Sequence, residues 1–249
     1  MNRFFVNKDN IKEGRVIIEG EDVKHIRNVL RLNEGDLITV CDCQKNDYLV
    51  EITDIKKNYV QCNILEKSKS KGEPNLEVVL YQGIPKSSKM DLIIQKATEL
   101  GISQIVPVEM KRSVVKLKNE KKEQKKLNRW RRIAKEAAKQ CRRGIIPAVS
   151  EIVSFNEMLK SLEKEEFILV PYENEDKVGL KDILAKNKGK HKVNIIIGPE
   201  GGFEEEEIDN INKLNWHVVS LGPRILRTET AGFTVLSIVM YELGDLGVI

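Results

Sequence analysis

Two short segments hold residues from which a ligand site could be made. The first reads Gly198-Pro199-Glu200-Gly201-Gly202-Phe203 and follows the apolar run Ile195-Ile196-Ile197. Closely spaced glycines let a backbone turn sharply and approach a ligand without Cβ obstruction, while Pro199 fixes one torsion and removes a donor. A plain strand-to-helix turn has the same features, so these residues alone leave both readings open. Phosphate is a poor candidate for such a ligand. Glu204, Glu205, Glu206 and Glu207 fill the first turn of the next helix, where they already complement its dipole. A neutral or cationic ligand bearing hydroxyls and ring nitrogens suits the charge better, and S-adenosylmethionine is one.

The second segment, Leu221-Gly222-Pro223-Arg224-Ile225-Leu226-Arg227-Thr228-Glu229-Thr230-Ala231, repeats the design. It follows a strand-like run, opens with Gly-Pro, and ends at a helix start where Thr228 is a candidate N-cap. Thr228 and Glu229 could simply cap that helix, and the two arginines could pair with Glu200 or Glu229. Capping alone does not account for a rigid polar loop at the same edge as residues 198–203. Other chemistries find no support: the chain has no nucleophile–base triad, P-loop or dinucleotide fingerprint. Cys41, Cys43, Cys62, Cys141, His25, His191 and His217 lack the spacing of a zinc knuckle or redox dithiol, so they read as structural and no metal is expected.

The net charge of +4 hides an asymmetry. Residues 111–143 carry fifteen Lys/Arg against three Glu, which leaves the rest of the chain at −8. A strip this lopsided is the footprint of a phosphate-backbone contact, or else of a lysine-rich loop without a partner; charge does not separate RNA from DNA. No apolar run approaches the length of a membrane span, and Met1-Asn2-Arg3-Phe4-Phe5 turns polar too soon for a secretory signal, so the chain is expected in the cytoplasm.

The elements that must position these segments follow from hydrophobic period. Residues 3–6, 15–19, 37–42, 48–55 and 59–66 are β-branched or aromatic runs separated by turn signals, with one helix over 22–30, which predicts a small barrel or sandwich. Residues 68–74 hold no apolar side chain and end in Pro74, as a linker would. Strands are then predicted at 76–82, 104–108, 148–153, 167–172, 193–197 and 217–221, alternating with helices at 88–100, 127–143, 155–162, 180–186, 204–214 and 229–243. Ser88…Asp91 and Ser154…Glu157 have capping-box spacing, and Gly101 and Gly144 sit where a left-handed helix stop is wanted. Such alternation predicts an α/β fold with a mostly parallel sheet covered on both faces. Ligands of such sheets bind beyond the carboxyl ends of the strands, which points to the loops at 171–176, 198–203 and 222–230.

Together these residues resemble the SPOUT methyltransferase superfamily, and within it the family that methylates N3 of a uracil in small-subunit ribosomal RNA. The matching stretches are Gln82-Gly83-Ile84-Pro85-Lys86, residues 89–101, Arg112-Ser113, 137–142, 198–203 and 221–231, with Arg3-Phe4-Phe5 and His25…Val29-Leu30-Arg31 near the N-terminus. The resemblance spans nearly the whole chain. It implies a PUA-like RNA-binding domain over residues 1–70 and a SPOUT domain over 75–249. It also implies a C-terminal trefoil knot, which physics alone would have discouraged because threaded chains are rare. A homodimer is implied as well, with S-adenosylmethionine held by the knotted loops. Carried across, the cofactor residues are Val170, Pro171, Tyr172, Gly198, Pro199, Glu200, Gly201, Gly202, Leu221, Gly222, Arg224, Ile225, Leu226, Arg227, Thr228, Thr230 and Ala231. Many relatives place Ser or Thr where this chain has Glu204, a loss of N-cap worth about 1 kcal/mol.

Methylation at uracil N3 requires removal of an imide proton and alignment of the anion with the sulfonium methyl. Arg227 is the expected stabiliser of that anion; Glu200, Glu229, a water or the arginine network are the candidate proton acceptors. N3 lies on the Watson–Crick edge, so the base must be unpaired or extruded. Arg3, Arg27, Arg31, Lys111, Arg112, Arg129, Arg132, Arg142 and Arg143 are the expected phosphate contacts on small-subunit ribosomal RNA or the assembled particle. Two rival readings stand beside this one: the same fold acting on transfer-RNA ribose, and a non-catalytic RNA-binding factor.

Overall fold

The computed structural model describes residues 2–113 and 120–248. Residues 114–119 of the basic strip lie outside the described residues. Two compact units form, one from Met1–Glu73 with Ala138–Ile146 and one from Pro74–Ala137 with Pro147–Ile249.

The first unit is a six-stranded sheet of β1 (Arg3–Phe5), β2 (Ile11–Lys12), β3 (Arg15–Glu19), β4 (Leu37–Cys41), β5 (Asn46–Ile55) and β6 (Tyr59–Lys69), in the order β1-β4-β5-β6-β3-β2. All its pairs are antiparallel except β1 with β4. Alternate residues such as Val16 and Ile18 turn inward, as a sheet with one buried face requires. The predicted 22–30 helix is present as α1 (Glu21–Lys24) continued by a π-helical turn (His25–Leu30), which Arg31 ends at φ 53°. Strand β6 runs through Ser68 and Lys69, paired with Asp47 and Asn46, so the predicted linker is shorter than the sequence suggested.

The second unit is a wholly parallel sheet. Its elements are β7 (Glu77–Gly83), α2 (Lys89–Glu99), β8 (Gln104–Glu109), α3 (Glu120–Gln140), β9 (Ala148–Val149), β10 (Val153–Ser154), α4 (Phe155–Leu162), β11 (Ile168–Pro171), α5 (Leu180–Lys186), β12 (Lys192–Ile197), α6 (Glu205–Lys213), β13 (His217–Val219) and α7 (Thr228–Glu242). The order β10-β8-β7-β12-β11-β13 sets β12 between β7 and β11. β12 is buried almost throughout, which is why it reads as a continuous apolar run.

Local signals fared unevenly. Ser154 and Glu157 form the capping box the spacing predicts. Ser88 precedes α2 without a side-chain cap, and Asp91 pairs with Arg129 instead. Gly101 adopts φ +94° after α2, but the left-handed residue after α3 is Arg142, not Gly144. Gly144 is needed for another reason: a Cβ there would lie 2.3 Å from Ser70 Oγ. Among the described residues no helix is long and apolar enough to cross a membrane.

Candidate active site

Four strands, β7, β11, β12 and β13, end at the same edge of the parallel sheet, and the segments after them form the site. Gly83 closes β7 so tightly against the 198–203 loop that a Cβ there would lie 2.6 Å from Pro199 N, a distance no side chain tolerates. Behind it Gln82 is fully buried, and its Nε2 donates to Gly83 O at 2.9 Å and to Thr228 Oγ1 at 3.0 Å. The Thr228 hydroxyl in turn donates to Gly198 O at 2.6 Å. Thr228 is therefore not the N-cap of α7. That place falls to Arg227, whose carbonyl accepts from Ala231 N at 2.8 Å, and the threonine hydroxyl is used to join two loops.

Glu200 is fixed at its own end. Lys86 N–H donates to both its oxygens, at 3.0 and 3.2 Å, and Lys89 Nζ lies 3.2 Å from Oε1. The same ammonium lies 3.2 Å from Glu229 Oε2, a buried oxygen without a hydrogen bond. Burial pushes the Glu200 carboxyl up, but the Lys86 and Glu200 amides and the Lys89 ammonium outweigh it and hold the group below its ordinary range. Burial lowers Lys89, and the two carboxylates more than reverse it, so this lysine stays charged.

The glutamates at the start of α6 are largely spoken for. Glu204 pairs with Arg112 at 3.1 Å, Glu206 with Lys111 at 3.0 Å, and buried Glu207 accepts from Lys111 N and Glu204 N, each at 2.9 Å. Arg112 also donates to Gly201 O at 3.0 Å. Two of the expected phosphate contacts are thus engaged within the domain, Arg112 bracing the loop and Lys111 the first turn of α6.

Two adjoining cavities open between these segments, of about 370 and 400 Å³. The first is lined by Gly198, Pro199, Glu200, Gly202, Arg227 and Thr228, the second by Tyr172, Leu221, Gly222 and Arg224. Pro171, Ile225, Leu226 and Ala231 face both. Three of the expected residues lie elsewhere: Val170 is buried in the core, Gly201 packs against Arg112, and Thr230 is exposed on α7. Glu200 and Glu229 converge on Lys89, and only Glu200 reaches the cavity wall. Sequence reasoning missed Lys89, Glu173 and Phe203, which also line the first cavity. Lys89 and Phe203 stood inside the motifs already singled out, and Glu173 inside the 171–176 loop to which the strand ends pointed.

The remaining expected phosphate contacts divide in two. Arg3 and Arg143 do not present their guanidiniums to solvent. Arg3 is paired with Asp47 at 7% side-chain exposure, and Arg143 with Glu73, 3.0 Å away, at 4%. A charge at a strand or helix end reads as solvated until its buried partner is seen. Arg27, Arg31 and Arg142 in the first unit and Arg129 and Arg132 in the second are exposed.

A strand-edge cavity walled by two Gly-Pro loops marks the second unit as a ligand-binding α/β domain, and comparison with known proteins specifies its class. The RNA methyltransferase domain family matches residues 72–240, and the RNA methyltransferase PUA domain family matches residues 18–65. The chain is 38% identical to ribosomal RNA small subunit methyltransferase E of Bacillus subtilis (strain 168), over 97% of each chain. It superposes on the enzyme of that name from Neisseria gonorrhoeae bound to S-adenosyl methionine with TM-score 0.89, at 30% identity and covering 98% of this chain and 99% of that one. A putative methyltransferase from Legionella pneumophila in complex with the bound cofactor SAM gives TM-score 0.88 at 31% identity, covering 98% of each chain. The chain belongs to the RNA methyltransferase family, in the group of ribosomal RNA small subunit methyltransferase E.

Proposed function

We propose that this protein transfers the methyl group of S-adenosylmethionine to N3 of a specific uridine in small-subunit (16S) ribosomal RNA. The observation that carries the reading is the pair of adjoining cavities at the strand ends, walled by residues 198–203 and 221–231. Their volume is in the range of cofactor pockets. Their charge suits the group: Glu173 and Glu200 balance Lys89 and Arg227 in the first cavity, while Glu173, Glu175 and Asp176 outnumber Arg224 in the second, a surplus that disfavours a polyphosphate and tolerates a sulfonium and an ammonium. Pro171, Tyr172, Gly198, Pro199, Gly202, Leu221, Gly222, Ile225, Leu226, Thr228 and Ala231 would hold it.

When bound, S-adenosylmethionine supplies an electrophilic methyl group. The chain itself must place the uracil edge and manage one proton. Arg227, exposed on the cavity wall, would stabilise the imide anion. Neither carboxylate is free to take the N3 proton: Glu200 has its oxygens committed to Lys86 and Lys89, and Glu229 stands behind the wall. That leaves water, the arginine network or Glu173, which lines the same cavity, to take the proton, while Glu200 and Glu229 shape the site. Arg27, Arg31, Arg142, Arg129 and Arg132 would contact phosphates, so RNA affinity should fall steeply as salt rises.

A homodimer completes the reading. Ile225 is 87% exposed at the cavity rim, and Tyr241 on α7 is 66% exposed beside the half-covered Ile238. A second copy would cover this apolar face, and the dimer would act in the cytoplasm, where ribosomal RNA is found. The test is mass spectrometry of 16S RNA from a strain lacking the protein, before and after incubation with the purified protein and S-adenosylmethionine. One added methyl on a uracil base is expected; a methyl on ribose, or none, overturns the proposal.

A further inference from the structure

Lys89 is the residue of the cavity wall that the reaction above leaves without a task. It opens α2, where a helix dipole disfavours a cation, so its retention there needs another cause. Its Nζ is 3.2 Å from Glu200 Oε1 and 3.2 Å from Glu229 Oε2, so the two oxygens are no more than twice that distance apart. Glu200 belongs to the 198–203 loop and Glu229 to the first turn of α7, so one ammonium joins three walls of the cavity. Glu229 Oε2 is buried without a hydrogen bond, and among the described residues Lys89 is the cation paired with it.

We propose that Lys89 is a positioning residue: its ammonium clamps the 198–203 loop to the first turn of α7, and so sets the shape of the cofactor cavity. The proposal deepens the methyl-transfer reading and rests on it. The other polar and charged groups facing this cluster do not replace the clamp. Lys86 gives Glu200 only its backbone N–H, and Arg112, after β8, is engaged by Gly201 O and Glu204. Arg227, before α7, and Glu173, after β11, line the first cavity but are not ion-paired with either carboxylate. Gln82 and Thr228 are neutral.

Removing the ammonium leaves two carboxylates facing each other. Like charges brought that close favour protonation of the pair. As the pH falls and the pair takes up a proton the repulsion is relieved; as the proton leaves on raising the pH, the two walls repel. A side chain that merely fills space produces no such dependence.

The experiment uses the full-length protein and S-adenosylhomocysteine, the neutral thioether product, so that shape is read apart from charge. Calorimetry gives its dissociation constant at about pH 5.5, 7 and 8.5 for wild type, Lys89→Arg, Lys89→Met and the double variant Lys89→Met with Glu229→Gln. Wild type and Lys89→Arg are expected to bind equally at all three. Lys89→Met is expected to lose about tenfold in affinity at the highest pH, as 1.4 kcal/mol would give, and to recover most of it at the lowest. The double variant, whose amide can donate to Glu200, should recover affinity at every pH. The role is overturned if Lys89→Met binds as wild type does, or loses affinity equally at every pH. Should Lys89→Met alone fail to fold, the double variant decides: affinity near wild type at every pH supports the clamp, and a loss that persists at every pH overturns it. Wild type that binds neither the thioether nor S-adenosylmethionine overturns the methyl-transfer reading as well; normal wild-type binding with a flat Lys89→Met profile removes Lys89 alone.

Discussion

The loops at 198–203 and 221–227 open alike, with Gly-Pro at the end of a parallel strand, yet the protein holds them in different ways. In the first, Gly198 and Phe203 are buried, and the carbonyls of Gly198 and Gly201 and the carboxylate of Glu200 each accept from residues remote in sequence. In the second, residues 222–225 are exposed, nothing lies within 4 Å of a Cβ placed on Gly222, and its amide donates only to Ser220 Oγ nearby, at 3.3 Å. One loop is a preformed floor and the other is fastened at its ends. The shared signature specifies a turn; what fixes or frees that turn comes from elsewhere in the chain.

If the floor is preformed, disturbing its support should do the most damage. Gly83→Ala puts a methyl group into the backbone of Pro199, and neither backbone can give way cheaply. We expect S-adenosylmethionine affinity to fall by more than about a hundredfold, near 3 kcal/mol, together with a lower melting temperature. Wild-type affinity in this variant would mean that the 198–203 loop is not held by β7. Next in size, Arg227→Ala should cut turnover about a hundredfold while leaving cofactor affinity near wild type, because the open loop contributes charge to the reaction more than grip on the cofactor. Equal losses in both would place Arg227 with the floor.

A smaller effect is expected where the two loops meet. Thr228→Val keeps the shape but removes the hydroxyl that serves Gly198 O and Gln82 Nε2. Leaving a buried acceptor without its partner costs about 1–3 kcal/mol. Chemical denaturation should show that loss, with an unchanged slope against denaturant. A variant as stable as wild type would mean that this hydrogen-bond pair does not anchor the floor.

The difference between the loops is also the difference between what the sequence could and could not say. Local patterns carried: the apolar run over β12, the capping box at Ser154 and Glu157, and the limits of α4 and α5. Periodicity missed the start of α3, because Glu120-Lys121-Lys122-Glu123-Gln124-Lys125-Lys126 offers no apolar stripe to detect. Thr228 was legible as a helix-start residue, but its choice of Gly198 O over its own helix was not. Lys89, Glu200 and Glu229 come from three distant stretches, so no spacing rule can place them on one ammonium. The burial of Arg143 against Glu73 is of the same kind: two charges distant in sequence neutralise each other, and each alone reads as surface.

The smallest expected effect separates the two loops most cleanly. Gly222 adopts φ +108°, so alanine there is strained by about 1 kcal/mol. At Gly83 the penalty is a collision with packed backbone, whereas at Gly222 the surrounding space is open. The loop can therefore reshape without disturbing the sheet, and the melting temperature of Gly222→Ala should stay near that of wild type. The strain reappears when the cofactor requires the original shape, as about a fivefold loss of affinity. A drop in melting temperature matching that of Gly83→Ala would show the second loop to be as firmly built in as the first. The division into floor and open wall would then fail, whatever happened to affinity.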